Sequence, residues 1–300
     1  MTEIKHKILS TFIVTAISYL GLQVLVYFAS IFQLGIYFQV ALWIYAFLVF
    51  WLLFIFDVHL RNRGILALLR LKHNGPRLVW EALKKRVEHV FNWHHFSHLL
   101  AFLVLPSIIF WTTVILVSLN PFREQIKQIL IVISIVNLGV AYWYFTERFS
   151  KKLEIHDLGL KVLNLVKLYT AYLGFATVLG LTWYFGLGED FLLPGLFALT
   201  FLILYQALFQ HRLLRLRSEI YALGIAGTSA LVGLWLSVNW NIQYLTGGIV
   251  ILAVYNALWG MLHHYLDRTL TKKLVGEYLL MLIVIFSILF ATHNFGARVL

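Results

Sequence analysis

Residues 191–209 read FLLPGLFALTFLILYQALF. No charge interrupts them, and at 1.5 Å per residue a helix of this length covers about 28 Å, close to the hydrocarbon thickness of a bilayer. Such a run reads as a membrane-spanning helix. The reading extends outward in both directions. Apolar runs precede it at 8–28, 34–56, 96–119, 126–145 and 162–184, and follow it at 220–238, 244–262 and 274–292. The expected fold is therefore all-α, a polytopic integral membrane bundle of about nine transmembrane helices.

Composition supports the same class. Of 300 residues, 61% are hydrophobic and 12% are Asp, Glu, Lys or Arg, about half the charged share usual in soluble domains. Nine spans of about 20 residues take up roughly 180 positions. A secreted disulfide scaffold, a disordered tail and a water-soluble enzyme domain are excluded. The chain has no cysteine, which removes thiol nucleophiles and Cys-ligated zinc or iron-sulfur clusters, so any metal must sit on His, Asp or Glu. The first run is followed at once by a second span and has no small-residue cleavage site, so it reads as a retained anchor.

The net charge of +11 is explained by topology. With Lys5 and Lys7 in the cytoplasm, the segments on that side hold twenty Lys and Arg, whereas the other side holds only Arg123, Lys127 and Arg298. This asymmetry predicts an N-in, C-out protein of a bacterial cytoplasmic membrane. The basic charge is spent on orientation, and no nucleic-acid partner is expected.

Three segments follow from the pattern: a transmembrane hairpin at 1–56, a basic segment at 57–93 and a seven-helix bundle at 94–300. In the basic segment, Asn74, Gly75 and Pro76 punctuate the chain, and Pro suits the first turn of a new helix. Val79, Leu83, Val87 and Val90 then recur at near-helical spacing, with Lys84, Lys85 and Arg86 on the other side. That pattern predicts an interfacial amphipathic helix with Arg77, Lys84, Lys85 and Arg86 on anionic lipid headgroups, each contributing about 1 kcal/mol. A docking site for a cytoplasmic or membrane protein partner is the alternative use of the same face.

Segments 162–211 and 212–262 read as two hairpin repeats. At an offset of 50 residues, Leu173, Gly174 and Ala176 fall on Leu223, Gly224 and Ala226, and Tyr205 to Phe209 fall on Tyr255 to Trp259. The offset also carries Ala176 and Gly180 onto Ala226 and Ala230, two small-residue pairs of the kind that lets helices pack closely.

Deep in the spans the polar residues are neutral: Asn137, Gln206, Thr228, Ser229 and Asn256, expected to bond between helices. Lys167 and Glu277 lie near span ends, shallow enough to snorkel or to pair with each other. Gly247 and Gly248 are expected to form a turn at the start of their span. A proton-driven transporter is not expected. The leading reading is a non-catalytic protein, either a carrier or channel for an uncharged or lipidic solute or a membrane assembly partner.

Histidine supplies the other reading. Eleven of the twelve lie at or near the cytoplasmic side. His94 and His98 share a helix face at i, i+4, as do His263 and Asp267. Three nitrogens and a carboxylate at one depth suit zinc or another divalent metal. The implied activity is that of a metal-dependent membrane enzyme facing the cytoplasm, such as a lipid-headgroup hydrolase.

Overall fold

The structure, a computed structural model, describes residues 2–31, 34–60, 93–119, 124–149, 157–211, 213–214, 216–239 and 243–292. These form α1 (Thr2–Ile31), α2 (Leu34–Leu60), α3 (Trp93–Ser118), α4 (Glu124–Phe149), α5 (Asp157–Tyr184), α6 (Glu189–Gln210), α7 (Leu216–Asn239), α8 (Tyr244–Leu266) and α9 (Lys272–Thr292). No strand occurs among the described residues. Eight helices are long and apolar enough to cross a membrane, and α3 contributes a shorter apolar stretch at Phe102–Ser118. The chain is an all-helical, multi-pass integral membrane protein. Arg77, Lys84, Lys85 and Arg86, with the amphipathic segment that carries them, lie outside the described residues.

In hydrocarbon every backbone N–H and C=O must be bonded within the chain, which long uninterrupted helices achieve. The breaks between them are chemically marked. Gly186 takes a φ of +61° between α5 and α6, a left-handed geometry that costs glycine little. Glu189 and Asp190 then occupy the first turn of α6, where carboxylates complement the helix dipole. Between α8 and α9, Arg268 adopts φ 58°, and the Leu274 N–H donates to Thr271 Oγ1 at 3.3 Å to cap α9.

The helices fall into two compact units. The first comprises Met1–Phe110 and Phe122–Val166. In it Gly21 faces Ile44 and Gly139 faces Thr15, so small residues mark where α1 meets α2 and α4. Gln23 and Gln128 exchange amide hydrogen bonds between α1 and α4. Tyr45 donates to Ser107 Oγ at 2.8 Å, joining α2 to α3.

The second unit comprises Trp111–Pro121 and Lys167–Leu300. Ala176 is fully buried, and a Cβ added at Gly248 would lie 3.0–3.1 Å from its N, Cα and Cβ. Gly247 and Gly248 are therefore inside α8 rather than in a turn, because the missing side chain at Gly248 is what allows α5 and α8 to touch backbone to backbone. Gly180 faces Leu119 and Tyr244. Ala226 and Ala230 are buried on α7, and Gly233, farther along that helix, faces Leu196 of α6 and Ile251 of α8.

Candidate functional site

Polar side chains inside the second unit collect toward the end of the bundle where α6 and α8 finish. Two glycine contacts fix the antiparallel register of α5 and α6: Gly174 meets Leu199, and Gly195 meets Val178. Seven residues, about two turns, beyond the first of these contacts, the same register pairs Lys167 with Gln206. Lys167 is 3% exposed and Gln206 is 0% exposed. The Lys167 ammonium lies 5.9 Å from the centroid of the Trp259 ring on α8. A buried lysine does not snorkel, so the expectation for Lys167 gives way to a packed position between α5 and α8. Glu277 is exposed on α9.

Gln206 is the outlier in this layer. Its Oε1 and its Nε2 are both buried and have no hydrogen-bond partner among the described residues. The Ser229 hydroxyl, in the middle of α7, is buried and unbonded in the same way. Leaving such groups unpaired costs about 1–3 kcal/mol each. The other deep polar residues do not bond between helices as expected. Asn137 donates to the Ile133 carbonyl at 2.8 Å and Thr228 to the Gly224 carbonyl at 3.0 Å, each satisfied by the preceding turn of its own helix.

At the end of the bundle, His263 sits between two partners. Its Nε2 is 3.2 Å from His211 Nδ1, and its Nδ1 is 3.4 Å from Asp267 Oδ2. The rings of His211 and His263 are 4.5 Å apart and nearly perpendicular, at 79°. Trp259 packs edge-on against His263, with its centroid 5.6 Å away, and His264 Nδ1 lies 2.9 Å from Thr269 Oγ1. Both histidines of α8 occupy its last turn, where a positive charge complements the helix dipole.

Of the four residues expected to converge on a metal, the structure brings His263 and Asp267 together. His94 and His98 lie in the first turns of α3, and their side chains are outside the described residues. Among the described residues, no three His, Asp or Glu side chains gather around one point. The geometry gives the reason: His263 turns one nitrogen toward His211 and the other toward Asp267, so its two partners sit on opposite sides of the imidazole. His211 was not singled out by spacing. Its signal lies in parity, since spans six and eight finish on the same side and their terminal histidines fall at one depth.

A family model described as "Protein of unknown function (DUF5656)" matches residues 35–292. No curated protein and no solved structure matches the chain.

Proposed function

The chain belongs to the DUF5656 family, and we propose that it is a non-catalytic carrier for an uncharged or lipidic solute, which meets the buried level of Lys167 and Gln206 in the second unit. The observation that supports this reading is the Gln206 carboxamide, wholly buried with neither its donor nor its acceptor bonded. In hydrocarbon no water offsets such a loss. A solute with a hydroxyl, amide or headgroup oxygen would fill both roles, and the Lys167 ammonium adds a second donor at the same level.

The decisive experiment extracts the protein into native nanodiscs and compares the retained lipids and small molecules by mass spectrometry with those of Gln206→Leu. Enrichment of a species in the wild type and its loss from the variant are expected. Identical profiles from two well-folded samples would overturn the proposal.

Three finer readings go with it. The charge asymmetry supports an N-terminus in the cytoplasm of a bacterial cell, with the histidine end of the second unit on the same side. The basic residues Arg77, Lys84, Lys85 and Arg86 would then grip anionic headgroups of the inner leaflet or a protein partner there. The offset of 50 residues supports a hairpin duplication in which α5 and α6 correspond to α7 and α8; parallel repeats of this kind build several carrier folds.

A further inference from the structure

We propose that His211, His263 and Asp267 form a proton-operated clasp that holds the ends of α6 and α8 together with zero or one added proton and releases them when both rings are charged. The inference stands on the geometry of the contact and does not depend on the identity of a solute.

The neutral state has one consistent arrangement of protons. Asp267 accepts, so the nearby His263 Nδ1 carries the hydrogen and Nε2 keeps its lone pair. His211 must then present Nδ1–H to that lone pair across the 3.2 Å gap. Two bonds thus run in one direction, from His211 through His263 to the carboxylate. A first added proton is tolerated. On His211 it gives an imidazolium that still donates to His263, and charge-assisted bonds of this type are the stronger ones. A second proton leaves no lone pair on either ring, so N–H faces N–H at a distance where two unit charges repel. Nothing else in the contact holds the two rings together.

The surroundings bear on when this occurs. The charges that reach His263 are Asp267 and His264 on its own helix and Lys167 from α5. Asp267 favours protonation, whereas Lys167 and a charged His264 oppose it. The helices on either side of α8 bring Arg217 and Glu219 from the start of α7, and Lys272, Lys273 and Glu277 from the start of α9, to the same end. Imidazole is the side chain that titrates between about pH 5 and 8, so opening falls on the acid side of that window.

The absence of native cysteine makes the test direct. Spin labels are placed on L214C, just beyond α6, and on L266C, at the end of α8, and their separation is measured by pulsed electron resonance at about pH 7.5 and about pH 5. A longer and broader distance distribution at the acid pH, reversed on neutralisation, is expected. In H211Q, and separately in H263Q, the acid-induced change should be lost, because an amide takes up no proton and can still bond to the remaining ring. An unchanged distribution in the wild type overturns the clasp, as does an equal shift in either glutamine variant. The two variants guard against misfolding of one of them, and the wild-type comparison stands by itself.

Discussion

Gly248 has no side chain, and that single absence sets how closely two helices approach. Its position against the Ala176 backbone leaves no flexible neighbour to yield. Gly248→Leu should destabilise the protein by about 1–3 kcal/mol, the usual range for overpacking, read as a lower unfolding temperature in detergent. Gly224, by contrast, has nothing within 4 Å of an added Cβ; Gly224→Ala should leave stability unchanged or raise it by up to about 1 kcal/mol. A second contrast concerns Gln206. If its amide serves a solute rather than the fold, Gln206→Leu should raise thermal stability by roughly 1 kcal/mol in the purified protein, since an apolar side chain of similar size removes an unpaired polar group. A drop in stability would mean that the amide holds the bundle together. Sequence reasoning found Ala176 and Gly180 through their spacing, but read Gly247 and Gly248 as a turn. Small residues at a span end carry the same signature for a turn and for a close contact, and only the partner helix separates the two.

Helices were the most legible level. Their existence follows from length and apolarity, so the nine runs read from the sequence match nine helices among the described residues, with ends differing by a few positions. Which helices touch is a different matter, since hydropathy has no directional content and lipid is as apolar as leucine. The pairing of α1 with α4 shows the difficulty. It rests on two glutamines 105 residues apart, neither of which stands out in its own segment. Gln23→Leu should cost about 1–2 kcal/mol because it strands the buried amide of Gln128, whereas Gln23→Leu combined with Gln128→Leu should recover most of that loss. A double-mutant cycle from unfolding in mixed detergent would give the coupling; additive effects would mean that the two amides do not support each other. The site was half legible for a related reason. His263 and Asp267 are joined by local helical spacing, while His211 reaches them only through the packing of α6 near α8.

At the scale of the whole molecule, the expected topology follows from twenty basic residues on one side and three on the other. A reporter fused after Leu300 should be active only if it needs the non-cytoplasmic compartment, and activity of a cytoplasm-dependent reporter there would reverse the orientation. The Ala176–Gly248 contact has a mechanical meaning within the second unit. Gly248 lies only four residues from the start of α8 but fifteen from His263, or about 6 Å against about 22 Å along the axis. A helix pinned so far off centre is an unequal lever. Tilting about the pinned point would carry the histidine end roughly four times as far as the other, so labels at the two ends of α8 should report unequal travel for the same rotation. Filling the fulcrum with a side chain at 248 would loosen the pin and even out the two arms.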